Sequence, residues 1–397
     1  MEKPRVLVTT IPEAGGGVRS MTNVIIRLLM ERQYEPVVAY YEYFSVAPEL
    51  SVPFYKLPWK TVGAKKVIAY QGLDAYAIGA WLPELEFTNY WPHKHWRKLM
   101  EHFQYFVTVS GNNLAATPFA FTGKPFLCWA ATEADGDRND RISKFPFHRR
   151  LLDYCVNSWM IRRYEKRILR AGRVVSLSRS TARNFHRIDP QYDESLILPM
   201  PIDLELFKPS GVEPDSDLIG FVGRYTDPRK NIRLLINAMP IILEQRPSCR
   251  LVLIGSFPTP ELTKYVQSLQ LENRVEMLGP KNNQEVASIL SSLTAFVVPS
   301  HQEGLCIAAL EAMAAGCPVI STRCGGPEEF VIPGETGVLV ESTGHALAAA
   351  VLDLLRNPEI RRKLSANARS LIERKYSYDR VREVFWDNFR QVFPSSN

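Results

Sequence analysis

Two carboxylates eight positions apart, Glu303 and Glu311, stand in the run Pro299-Ser300-His301-Gln302-Glu303-Gly304-Leu305-Cys306-Ile307-Ala308-Ala309-Leu310-Glu311. An apolar run ends at Pro299, Gly304 can make a turn, and an apolar-rich helix is predicted to start near Leu305. The free N–H groups and positive dipole end of such a helix suit a phosphate or another anion. Glu303 then lies in the loop at the mouth, and Glu311 about two turns into the helix. Carboxylates accept hydrogen bonds from hydroxyl groups, so two on one rim could grip a ribose and a hexose. The same spacing also suits a helix N-cap acid followed by a surface glutamate. A second candidate segment is Gly223-Arg224-Tyr225-Thr226-Asp227-Pro228-Arg229-Lys230-Asn231. Arg224 and Lys230 are two cations beside a predicted helix start. They could clamp a diphosphate, or they could be ordinary solvated loop charge.

The elements that must position these residues follow from hydrophobic periodicity. In the C-terminal half, short apolar runs predict strands at 218–222, 250–254, 275–278, 295–299 and 318–321, with another at 336–340. Amphipathic stretches predict helices at 231–244, 260–269, 284–291, 305–315, 345–356 and 358–375. Strands alternating with helices mark a parallel sheet with crossover helices, a doubly wound α/β domain. Ligands of such sheets bind at the carboxyl ends of the strands, where both candidate segments fall. The N-terminal half begins in the same way, with predicted strands at 5–9, 37–41, 105–109, 125–129, 174–177 and 195–198 and a helix at 19–31. The aromatic-rich stretch 72–104 is predicted as a helical mixture. Pro199-Met200-Pro201, running on to Pro209 and Pro214, breaks both periodicities and is the linker candidate.

Several linked motifs stand in order along the C-terminal half. The Glu303 to Glu311 segment follows a Pro-Ser strand end. Glu311-Ala312-Met313-Ala314-Ala315-Gly316-Cys317-Pro318 continues it, followed by Gly325-Gly326-Pro327-Glu328-Glu329 and Gly334-Glu335-Thr336-Gly337. With these, the chain resembles the retaining nucleotide-sugar glycosyltransferases of the GT-B fold, in glycosyltransferase family 4. The resemblance covers the C-terminal half nearly throughout and the N-terminal half in outline. It implies two Rossmann-like domains facing across a cleft: an acceptor-side domain at 1–200 and a donor-binding domain at 201–375. It also implies a terminal helix, within 376–397, that crosses back to the first domain. By the same resemblance Glu303 contacts the donor sugar, Gly304, Leu305 and Cys306 line the sugar and diphosphate, and Glu311 holds the nucleotide ribose. Arg224 and Lys230, next to Gly223, match a basic pair that neutralises charge on the departing diphosphate, so no metal or other cofactor is required. Residues 275–279, with Leu278, match the part that cradles the base. Gly15-Gly16-Gly17-Val18-Arg19 resembles the glycine-rich first loop, with Gly17 allowing close backbone approach and Arg19 beside it on the acceptor side. The same glycines, with Glu42, faintly fit a dinucleotide fingerprint, but they fall about five residues beyond their strand.

The sequence departs from the family at one point. Many members have a histidine after the strand equivalent to 126–129, where this chain reads Ala130-Ala131-Thr132-Glu133-Ala134-Asp135. Thr132, Glu133 and Asp135 are candidates for that place, or plain loop and cap residues. Asp135-Gly136-Asp137 imitates a metal-binding Asp-x-Asp motif but reads here as a turn. Gly72-Leu73-Asp74 is another candidate element of the acceptor side. Of the seven histidines, only His301 lies beside a candidate site.

Composition sets the outer bounds. The 397 residues are 46% hydrophobic and 23% charged, as in an ordinary two-domain globular protein. No apolar run approaches the roughly 20 residues of a membrane span. The opening Lys3-Pro4-Arg5-Val6-Leu7-Val8 is too quickly interrupted for a secretory leader, which makes the cytoplasm the expected address. Six cysteines show no zinc or disulfide spacing. Between Arg138 and Arg187 basic residues recur with Phe145, Phe147, Tyr154 and Trp159 among them. Such a stretch could rest on the anionic inner face of a membrane and favour a lipid-linked glycan acceptor, or it could be a solvated helix face. Nucleic acid has only charge in its favour. The expected activity is sugar transfer from a nucleotide diphosphate sugar to a glycan or lipid-linked acceptor. The alternative is a catalytically silent nucleotide-binding relative that supports another transferase.

Overall fold

The computed structural model describes residues 3–394 except 14–15, 58, 143–144, 212–213 and 215–216, and leaves aside the side chains at 137, 139–141 and 148. The chain divides into two compact units, Met1–Pro199 with Arg382–Asn397, and Met200–Val381.

The first unit is built on seven strands: β1 (Arg5–Thr10), β2 (Glu35–Tyr41), β3 (Ala64–Ala69), β4 (Leu73–Ile78), β5 (Tyr105–Ser110), β6 (Leu127–Ala130) and β7 (Arg173–Ser176). Their order in the sheet is β3-β4-β2-β1-β5-β6-β7. All pairs are parallel except β3 with β4. Both faces of the parallel strands are covered, so β1 reads as an unbroken apolar run whose Val6, Leu7 and Val8 are fully buried. Burying one such side chain stabilises the fold by about 1.5–3 kcal/mol. The helix Gly17–Glu31 packs against β5 and β2 with Ile25, Ile26, Leu28 and Leu29 inward. The last helix, Tyr378–Val392, contributes Phe385, Trp386 and Phe389 to this unit. There Trp386 stacks on Tyr34 at 5.7 Å, and Phe389 on Tyr105 at 5.7 Å.

Two expectations for this unit fail. The stretch 72–104 is not a helical mixture. It opens with β4 and holds one seven-residue helix, Lys94–Met100, among turns and one short 3-10 segment, Glu86–Thr88. The hairpin from β3 into β4 turns through Tyr70, Gln71 and Gly72, all left-handed, with only one glycine to advertise it. The other failure is 195–198, which makes a single bridge, Ser176 to Ile197, and no strand.

The second unit holds β8 (Leu218–Gly223), β9 (Arg250–Gly255), β10 (Val275–Gly279), β11 (Ala295–Val298), β12 (Val319–Thr322) and β13 (Gly337–Val340), in the order β10-β9-β8-β11-β12-β13. All are parallel. The strands and helices read from the sequence all form here, with ends displaced by one or two residues. The order reverses between β8 and β11, the switch point at which this class of sheet opens a crevice.

Candidate functional site

At that switch point β8 and β11 are neighbours, with Ile219 beside Ala295 and Gly220 beside Phe296. Their carboxyl ends release the two loops picked out in the sequence on the same edge. The turn after β8 is close-packed: a Cβ on Gly255 would fall 2.4 Å from the Gly223 carbonyl oxygen, and Gly255 has φ +128°. The loop then tightens into a 3-10 turn, Pro228–Lys230, capped by Asp227, which accepts from the Arg229 amide at 3.0 Å. Asn231 follows in the left-handed region, φ 48°.

This turn brings Lys230 to Glu303. The ammonium donates to both carboxylate oxygens, at 2.7 and 2.8 Å. Ser300 Oγ donates to the same Oε1 at 2.7 Å. The backbone of Glu303 is held on both sides, its N–H donating to Cys324 O at 2.7 Å and its carbonyl accepting from Gly326 N at 2.9 Å. Gly326 must be glycine, because a Cβ there would come within 2.5 Å of the Gly304 carbonyl oxygen and of Leu305 Cα. Glu303 is therefore buried, paired and fixed.

Two details differ from expectation. The helix starts at Ile307, not near Leu305, because Cys306 occupies the left-handed region at φ 66°. Glu311 is thus one turn into the helix, not two. The reading of Glu303 as an N-cap also falls. The cap position is Cys306, and no side chain caps the first turn there. Gly304, Leu305 and Cys306 lie between Glu303 and this helix start. Burial pushes the Glu311 carboxyl up to about 7, so near neutral pH it can stand in either protonation state.

Arg224 is not brought to the Lys230–Glu303 pair. Its side chain is 77% exposed, and its guanidinium lies 3.7 Å from Asp227. Asp227 already holds Arg229 at 2.8 Å. Burial would raise the Asp227 carboxyl, but hydrogen bonds from the Arg229 side chain and amide outweigh it, and the net direction is down. His301 joins the loops through its backbone, donating to Arg229 O at 2.8 Å. On the far side of the sheet order, Leu278 is the extra residue of a register shift in β10. Beside it the ring of Phe257, 75% exposed, lies within 3.5 Å of a Cβ built on Gly279. Sequence reasoning gave no role to Phe257, Ser300, Asp227 or Arg229. Only Ser300 had a signal, through its place in the Pro-Ser strand end.

In the first unit, Gly17 opens its helix with nothing within 4 Å of a built Cβ, and Gly16 precedes it at φ +114°. Gly15 lies outside the described residues. Arg19 pairs with Glu13 at 3.0 Å, and Glu13 also accepts from the Tyr70 amide at 2.8 Å. Thr132, Glu133 and Asp135 follow β6 on the carboxyl edge. Glu133 accepts from Thr132 at 3.1 Å and from Asn184 at 2.9 Å, whereas Asp135 is engaged by Arg162 at 2.9 Å. Asp135-Gly136-Asp137 lies in the helix Ala134–Ile142, not in a turn. Among the described residues no group of three or more metal-ligating side chains occurs. Asp74 is not gathered with these residues. It lies at the amino end of β4 in the hairpin register and pairs with Lys66 at 2.6 Å.

Comparison with known proteins adds to this geometry. Residues 203–371 match the family model of glycosyl transferases group 1. The match lies wholly in the second unit and contains both loops. An uncharacterized glycosyltransferase of Methanocaldococcus jannaschii is 35% identical over 173 residues, 42% of this chain and 46% of that protein. A D-inositol 3-phosphate glycosyltransferase of Corynebacterium glutamicum is 30% identical over 203 residues, 46% and 48% of the two chains. The chain thus spans about half the length of the curated relatives it matches. Among solved structures, sucrose-phosphate synthase from Thermosynechococcus elongatus superposes with a TM-score of 0.72 at 20% identity, covering 99% of this chain and 100% of that one. Anabaena HepE in complex with UDP gives 0.73 at 15% identity, covering 98% and 100%. The fold is that of the GT-B glycosyltransferases.

Proposed function

We propose that the protein is a retaining glycosyltransferase that moves a sugar from a nucleotide diphosphate sugar to a glycan or lipid-linked acceptor. The observation that carries this reading is the Lys230–Glu303 pair, held at 2.7 and 2.8 Å beside an uncapped helix start on the carboxyl edge of the sheet. In transfer, the bond from the anomeric carbon to the diphosphate oxygen breaks, a bond to an acceptor hydroxyl oxygen forms, and the acceptor proton passes to the departing diphosphate. Lys230 and the free amides at the helix start oppose the charge that grows on the leaving diphosphate, an electrostatic and preorganised stabilisation that requires no metal. Glu303 accepts from sugar hydroxyls while Ser300 and Lys230 fix its carboxylate. Glu311 receives the ribose hydroxyls, and the exposed ring of Phe257, next to Leu278 and Gly279, offers the base a stacking surface. Arg224, solvated here, can reach the diphosphate only by leaving Asp227. On the first unit, residues 138–187 are the stretch that would meet an anionic membrane carrying the acceptor.

Thermal shift with UDP, GDP, ADP and their sugar conjugates tests the donor site, because a ligand that binds only the folded state raises the melting temperature. One nucleotide should stabilise the protein, and Lys230→Ala should abolish most of that shift. A silent relative is the second reading, favoured by Ala130–Asp135 lacking the family's histidine. Nucleotide binding without release of free sugar or transfer to any acceptor would support it over the first.

A further inference from the structure

The parallel strands β2, β4 and β6 release their following loops on one edge of the first unit's sheet. Two of these loops carry large apolar side chains into solvent. After β2, the segment 54–60 exposes Phe54, Tyr55 and Trp59, the last at 84%. After β6, the segment 147–159 exposes Phe147 at 73%, Tyr154 at 80%, and Leu151 and Trp159 about half. The loop after β4 holds the two together. Glu84 accepts from the Phe54 amide at 3.3 Å, and two residues on, Glu86 accepts from Arg138 at 2.8 Å. Arg138, itself buried, donates in turn to Asp153 at 2.6 Å. Arg138 thereby anchors Asp153, which lies between the exposed Phe147 and the exposed Tyr154 and Trp159.

The charge within both segments is mainly basic, with Glu84 at the Phe54 amide, Asp74 on Lys66 and Asp135 on Arg162 as the acids beside them. Residues 50–73 contain no acid and four lysines. Residues 145–172 contain two acids, Asp153 and Glu165, and both are buried, so the exposed charge is that of Arg149, Arg150, Arg163 and their basic neighbours. Cations lie over rings on both patches, Lys56 5.7 Å from Tyr55 and Arg163 4.6 Å from Trp159. The imbalance extends to the whole unit, which has 29 lysines and arginines against 21 acids, while the second unit has 19 against 21. Exposed aromatic side chains beside an excess of lysine and arginine match the headgroup region of an anionic bilayer. There rings enter the acyl boundary and cations meet phosphate. Protein-binding faces are depleted in lysine, whereas Lys56 and Lys60 stand among the exposed rings of the first segment.

We propose that these two segments, 54–60 and 147–159, are a pair of prongs that dock the first unit on an anionic lipid bilayer. Among the described residues no helix is long and apolar enough to cross a membrane, and the proposed docking is of the peripheral, reversible kind. The inference extends the proposed function by giving the acceptor a bilayer source, yet it stands on the first unit alone.

The experiment is co-sedimentation of the full chain with vesicles of phosphatidylcholine alone and of phosphatidylcholine with phosphatidylglycerol, at low and high salt. The expected result is binding to the phosphatidylglycerol vesicles that weakens with salt. Binding should weaken at least tenfold in Phe54→Ser/Trp59→Ser, in Phe147→Ser/Leu151→Ser and in Arg149→Glu/Arg150→Glu. Brominated lipid should quench tryptophan fluorescence less in Trp59→Phe than in the parent. No sedimentation at low salt, equal binding to neutral vesicles, or binding indifferent to the apolar substitutions would overturn the proposal. So would a concentration-dependent dimer abolished by those substitutions. Nucleotide thermal shift on the same variants separates the two readings. Vesicle binding lost with the shift intact concerns the prongs alone, and a missing shift with vesicle binding intact concerns the donor site alone.

Discussion

Lys230 and Glu303 hold each other on the carboxyl edge of the second unit's sheet, at the proposed donor site. Lys230 is about four-fifths buried and Glu303 more so, so removing one partner strands the other in a poorly solvated place. Breaking such a pair costs about 3 kcal/mol, whereas replacing both members is much less harmful. Lys230→Met is therefore expected to lower the melting temperature clearly, and Lys230→Met/Glu303→Gln to recover most of it. Turnover should stay at least 100-fold down in both, the usual scale for a lost transition-state charge partner. Differential scanning calorimetry and a donor-hydrolysis assay would read the two effects separately. Recovery of turnover together with stability would mean that the pair is only a structural tie. At this scale much of the geometry of the candidate site was legible. Glu303, Gly304, Glu311 and Lys230 stand out because a carboxylate, a turn and a helix start are written in adjacent residues. Phe257 was not legible, since its meaning comes from a ring placed beside Gly279 across a strand pair. Arg224 was legible only as a charge; the Asp227 that draws it aside follows from the fold of the loop.

Among the elements, the helix Ala134–Ile142 starts on an unusual support. Its first amide, Ala134 N, donates to Glu165 Oε1 at 3.0 Å, and Glu165 is buried in the helix Ser158–Ala171. Burial, with the nearby charges of Glu133 and Asp135, pushes the Glu165 carboxyl up to about 8 against the lowering effect of the Ala134 hydrogen bond. The folded protein keeps that proton between about pH 4.5 and 8, while the unfolded chain has released it. The contribution of Glu165 to stability therefore falls as pH rises through this window, by up to about 1.4 kcal/mol per unit, and no further change follows above it. Glu165→Gln keeps a neutral acceptor for Ala134 N and should flatten the dependence. Melting curves from pH 5 to 9 should diverge progressively between parent and variant, and parallel curves would place the charge elsewhere. The strands of the second unit were readable because each is a short apolar run between helices. The β3–β4 hairpin was not, since its edge strand exposes Lys65 and Lys66 and its turn uses Tyr70 and Gln71 in conformations their side chains do not announce.

For the molecule as a whole, the chain leaves the first unit near Pro199, forms the second, and returns at Arg382. The returning helix covers Tyr34 and Tyr105 with Trp386 and Phe389, and Arg32 lies 4.4 Å from the Trp386 ring. Arg173 donates to Asn388 at 2.5 Å. These contacts set an order of events during synthesis. When the ribosome has made the first 199 residues, the sheet of that unit is complete but its aromatic flank is bare, and it stays bare for roughly 180 further residues. At about 5–20 residues per second, that is on the order of ten seconds or more of exposed tyrosine surface. The second unit has all its strands before the first unit is sealed. A released chain truncated after residue 381 should be cut by protease within the first 199 residues and spared within the second unit, and the full chain should resist in both.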